Sequence, residues 1–129
     1  MSKSVEFRSK AFPPQPGEEH EVNPGRHGRG LAQFLAAALL ENGFAITGVT
    51  AEDWGWRVDV QNDDFPLWIG CGNLDGEEDT FLCFVEPSKP RVGGWFKRTD
   101  TRPAADRLAS KLYEVLSANP DVEDLAWAD

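Results

Sequence analysis

Histidine and cysteine are scarce in this chain, two of each in 129 residues, and the scarcity excludes a good deal. Cys71 and Cys83 are too few to build the disulfide framework that holds small secreted domains together. Both histidines, His20 and His27, lie in the N-terminal loop region, and no sequence pattern pairs either with Cys71 as a base beside a nucleophile. There is no Gly-x-Ser-x-Gly elbow and no Gly-Lys-Ser/Thr phosphate loop. No apolar run approaches the length of about 18 residues that a spanning helix needs, and the opening MSKSVEFRSKAFPP lacks the apolar core of a secretion signal. The expectation is a soluble cytoplasmic protein with no metal and no cofactor, and the balance leans against an enzyme.

Basic residues are nearly missing from one long stretch. Residues 41–86 hold eleven acids and a single base, Arg57, for a net of −10. Residues 88–111 reverse the sign: Lys89, Arg91, Lys97, Arg98, Arg102, Arg107 and Lys111 stand against Asp100 and Asp106, for a net of +5. Separated signs create a field that steers a charged partner. The overall charge of −9 repels phosphates, so nucleic acid and anionic membrane are poor partners, and a basic protein is a good one.

A hydrophobic fraction of 40% and an aromatic fraction of 11% suit a folded chain, and the length suits one domain over residues 1–129. Four prolines and two glycines in residues 11–25 make a loop or arm of that segment. The clearest helix carries Leu31, Phe34, Leu35, Ala38 and Leu39 on one stripe and stops at Asn42-Gly43. Asn23 with Pro24 can cap it, although glycines at 25, 28 and 30 delay its effective start. A second helix over about 101–117 has Pro103 in its first turn and Ala105, Leu108, Leu112, Val115 and Leu116 as its stripe.

Extended segments are expected at residues 5–8, 44–49, 54–60, 65–72 and 80–86, with a loop over 87–99. The tail, 122–127, reads as an edge strand or a helical turn. Short links between the strands favour a meander. The fold class is therefore α+β: an antiparallel meander sheet of four to six strands with two helices packed on one face.

A meander brings the links 50–53 and 73–79 to one end of the sheet. Glu52, Asp53, Asp75, Glu77, Glu78 and Asp79 then form an acidic rim. That rim is either a docking site for a basic partner or a solubilising surface. The DGEED string lacks the ligand alternation of a calcium loop. Trp54 and Trp56 are expected on one strand face as a core pair under the helices, or alternatively as a recognition surface. Trp68, opposite in parity to Leu67, Ile69 and Cys71, is the better surface aromatic. In a hairpin closing on 73–79, Cys71 falls opposite Phe81 and the two thiols are diagonal neighbours, about 7–8 Å apart.

Two basic groups offer a different chemistry. Arg26, His27 and Arg29 surround a helix start whose N–H groups suit an anion. Lys97, Arg98 and Arg102 could close on the same ligand.

The strings EDWGW, FPLWIGCGN, FLCFVEPSKP and WFKR resemble those of a family of small uncharacterised bacterial proteins, over residues ~5–127. The resemblance implies a single-domain cytoplasmic bacterial protein and no particular activity. The favoured reading is a non-catalytic acidic binding protein, of the immunity or inhibitor type, that covers a basic toxin or enzyme through the rim with Trp54 or Trp68 as anchor. The alternative is a protein or small enzyme that holds an anionic ligand between the two basic groups. A homodimer that joins the −10 face to the +5 segment is a third arrangement.

Overall fold

Alternation with a period of two builds the sheet. In β3 (Gly55–Val60) and β5 (Thr80–Glu86) every second residue is buried: Trp56, Val58 and Val60, then Phe81, Cys83 and Val85. The computed structural model, which describes residues 3–93 and 98–129, joins these strands to β1 (Ser4–Arg8), β2 (Ile46–Glu52), β4 (Leu67–Asn73) and β8 (Glu123–Trp127). The six form one antiparallel sheet in the order β2-β3-β4-β5-β1-β8. Strands β2 to β5 are the expected meander. β1 then lies between β5 and β8, and the tail is the edge strand.

Two helices cover one face of this sheet. α1 (Arg29–Glu41) lies over β2, β3 and β4, and α2 (Arg102–Ser117) over β5, with the helices touching each other. Leu31, Leu35 and Leu39 from α1 and Leu108, Leu112 and Leu116 from α2 are fully buried against Val5, Ile69 and Phe81 in one core. Replacing Leu35 with alanine should cost about 3 kcal/mol, mid-range for emptying a core leucine site. Urea titration checks this, and a loss under about 0.5 kcal/mol, typical of a surface change, would contradict the packing.

Four expectations need correction. Helix α1 starts at Arg29 with Gly28 as its N-cap, five residues after the expected Asn23 cap. Gly25, at φ 80°, takes the left-handed conformation that interrupts a helix. Within 87–99, β6 (Arg91–Gly93) pairs with β7 (Arg98–Asp100), a ladder too short for sequence periodicity to reveal. Trp95, Phe96 and Lys97 lie outside the described residues. Trp54 and Trp56 do not share a face, because β3 begins only at Gly55 and Trp54 belongs to the turn before it. The β4–β5 register is shifted by two: Asn73 extends the strand, Leu74 N–H still bonds to Thr80 O at 2.7 Å, and Cys71 falls directly opposite Cys83.

Candidate functional site

The turn between β4 and β5 is built to face outward. Asp75 and Gly76 take left-handed φ values of 54° and 73°, which lets five residues reverse the chain. Its backbone carbonyls are drawn inward: Asn73 Nδ2 donates to Glu77 O at 3.0 Å, His27 Nε2 to Glu78 O at 2.9 Å, and Ser9 N–H to Asp79 O at 2.8 Å. The side chains of Asp75, Glu77 and Glu78 are left exposed, and that of Asp79 half-buried. At the same end, the β2–β3 turn presents Asp53 exposed, while Glu52 pairs with Arg57 at 3.5 Å.

The two acidic turns are bridged by the arm. Asn23 N–H bonds to Asp53 O at 2.8 Å, and Arg26 Nη1 donates to Asn73 O at 3.1 Å. Buried Asn73 also accepts from His27 N–H at 2.9 Å and donates to Gly25 O at 2.9 Å. Asn73 thus fixes the arm to the turn, a role that the sequence reading did not assign.

Away from the helices, the sheet carries an aromatic cluster. Trp54, Trp68 and Phe84 pack mutually, with ring centroids 6.0, 5.3 and 5.7 Å apart, and all three are half-buried. Gly70 makes this fit, since it pairs with Phe84 and a Cβ there would lie 2.3 Å from the ring. Arg57 stacks over Trp68 at 5.2 Å and is held by Asp59 at 2.9 Å. A cleft of about 170 Å³ opens beside the cluster between Trp54, Leu82, Phe84 and Arg26. The two tryptophans singled out from the sequence therefore meet. Phe84 completes the group, and its sequence signal was parity, opposite to Phe81 and Cys83 on the same strand.

The helix start already holds its anion. Glu18, 1% exposed, accepts at Oε2 from Gly28 N–H (2.8 Å), Arg29 N–H (2.7 Å) and the Trp56 indole N–H (2.7 Å), and at Oε1 from Gln15 N–H (2.9 Å). Burial works to raise its pKa, but the backbone N–H groups of Gln15, Arg29 and Gly28 and the Trp56 indole outweigh that, and the net effect is below the ordinary carboxylate value. His27 is buried edge-on against Phe81, and Arg29 stacks over Trp56 with Glu21 at 3.8 Å. Of the Arg26, His27 and Arg29 group, only Arg26 stays exposed.

The second basic group stands elsewhere. Arg102 opens α2 at the end of the sheet opposite the acidic turns, where Thr101 bonds to Lys89 O and Pro90 O just past β5, and Arg98 stands on β7 shortly before it. Lys97 lies outside the described residues. Arg102 forks onto Asp100 through Nε (2.9 Å) and Nη2 (3.0 Å), which holds the Asp100 carboxyl down to about 2. The two basic groups do not converge on one ligand. The far end also carries Asp63, Asp64 and Glu86, while at the acidic end exposed Lys10 lines a cleft with Glu77, Glu78 and Asp79 and Arg26 reaches the same turn, so acids predominate there over two nearby bases. Among the described residues, no helix is long and apolar enough to cross a membrane. Comparison with protein-family models, curated proteins and solved structures gave no match.

Proposed function

We propose that this is a non-catalytic acidic binding protein, of the immunity or inhibitor type, that docks a basic protein partner through the acidic end of its sheet. One observation carries the reading: Trp54 sits in the acidic β2–β3 turn and also packs on Trp68 and Phe84, so charged rim and aromatic patch are continuous. A predominantly acidic surface gathers a basic partner, and a large ring beside it supplies the desolvated anchor. The anionic-ligand reading gains nothing comparable, because Glu18 fills the helix start and the arginine groups stand at opposite ends.

The test begins with the partner, captured on the protein from its native host and identified by mass spectrometry. Reversing Glu77, Glu78 and Asp79 to lysine should then slow association about tenfold or more at low salt, with the effect shrinking as salt rises. Trp54→Ala should act mainly on dissociation. Exposed turn charges add little stability, so the fold should survive the reversal. Unchanged association kinetics at low salt would remove the acidic end from the interface.

A further inference from the structure

The two cysteines hold a relationship that none of the foregoing uses. Cys71 on β4 and Cys83 on β5 are direct cross-strand partners on the helix face, both fully buried and both free thiols, with Cys83 Sγ donating to Cys71 Sγ at 3.9 Å. Their pair type follows from the ladder. Leu74 N–H bonds to Thr80 O on the β4 side, while Val85 N–H bonds to Lys3 O on the β1 side. Hydrogen bonding alternates along an antiparallel strand, so the backbone groups of Cys83 face β1 and the Cys71–Cys83 pair is a non-hydrogen-bonded one. Such pairs have Cα atoms about 4.5 Å apart, inside the separation that a disulfide spans.

We infer that Cys71 and Cys83 form a reversible intramolecular disulfide that staples β4 to β5 without a change of fold. The sulfurs are in van der Waals contact, and side-chain rotation rather than strand movement brings them to bonding distance. With a small-molecule disulfide as oxidant, one cysteine thiolate attacks an oxidant sulfur and releases one small thiolate, leaving a mixed disulfide. The second cysteine thiolate then attacks the bound protein sulfur and releases the other small thiolate. Two protein thiols lose two electrons and two protons, and the oxidant becomes two thiols.

Burial sets the rate and not the direction. It pushes the Cys83 thiol well above its usual range, with Cys71 adding to the effect, and thiolate is scarce in the closed fold. Both thiols also lie fully buried in the core beneath the helices. Exchange therefore waits for local opening. The pair stays reduced through brief exposure and responds to sustained oxidising conditions.

An equilibrium experiment removes the kinetic barrier. The full chain is unfolded in urea, then either refolded or kept unfolded in glutathione buffers of graded oxidised-to-reduced ratio, quenched with acid and weighed intact. A native geometry that favours the bond makes the folded chain close it, with loss of two hydrogens, at a ratio about tenfold or more less oxidising than the unfolded chain needs. Any shift in that direction supports the inference. Equal ratios, or a folded chain that needs the more oxidising buffer, would overturn it, as would a folded chain that carries only glutathione adducts. Cys71→Ser and Cys83→Ser, each with one thiol, should give no loss of hydrogens at monomer mass at any ratio, and an oxidised natural chain found only at dimer mass would assign the bond to neighbouring molecules and overturn it too.

Discussion

Replacing Glu18 with alanine should cost at least about 4 kcal/mol, because it strands several buried donors at once, each worth about 1–3 kcal/mol when left unpaired. Gly28 and Arg29 lose the acceptor for the first N–H groups of α1, Trp56 loses the partner of its indole, and Gln15 loses the bond that turns the arm. Glu18→Gln, which keeps the shape and one acceptor oxygen but brings an amide N–H toward these donors, should fall between alanine and the natural residue. Urea midpoints measure all three. A pH series gives an independent reading. The Glu18 pKa is lower in the folded state than its ordinary value of 4.5, so its contribution is complete above about 4.5 and is lost as pH falls through the lower folded value. The natural protein should therefore lose stability more steeply than Glu18→Ala as pH falls below about 4.5. Parallel curves would show that Glu18 is not the ionised helix cap described above.

The second large effect is expected at Gly55, the residue between the two tryptophans that separate onto opposite sides of the sheet. Its φ is 154°, and a Cβ built there would lie 2.3 Å from Cys71 O and 3.2 Å from Gly72 Cα. Both obstacles are backbone of the neighbouring strand, which cannot swing aside as a side-chain tip can. Gly55→Ala should cost roughly 4 kcal/mol, from backbone strain and overpacking together. It should also displace Trp54 and change the near-ultraviolet circular dichroism of the aromatic cluster. Gly48→Ala is the matched control: the site is on β2, a Cβ there meets nothing within 4 Å, and the change should be nearly neutral. Similar losses at the two sites would mean that the close approach of β3 and β4 is not what demands glycine at 55.

Periodicity made the larger elements readable. The stripes from Leu31 to Leu39 and from Ala105 to Leu116 located both helices, and alternation located the strands that became β3, β4 and β5. Short links, by favouring a meander, also placed the two acidic turns at one end of the sheet. What stayed hidden depended on partners distant in sequence. Glu18 caps a helix that begins eleven residues later, and nothing local distinguishes it from Glu19 or Glu21; the lone hint is a glycine N-cap with no side chain of its own to bond. The cysteine register missed by two because Asn73 reads as a turn former, yet the arm pins its side chain and keeps it in the strand. Trp54 looked like a partner for Trp56, since alternation assumes that a strand has already begun. The turn ending at Gly55 breaks that assumption and sends Trp54 to Trp68 and Phe84.

The insertion of β1 between β5 and β8 imposes an order on assembly. Val5 pairs with Cys83 on one side and Trp127 on the other, so β1 has no edge to join until β5, about seventy residues later, has been made. The meander β2 to β5 closes only short loops and can form early, whereas each β1 pairing carries the entropy of a long closure. β8 depends on β1 in turn, since among the described residues it pairs with no other strand. Folding should therefore proceed from the middle of the chain outward, with both sequence ends zipping on last, and amides of the β1–β8 ladder should gain protection after those of β3 and β4 in pulsed hydrogen exchange.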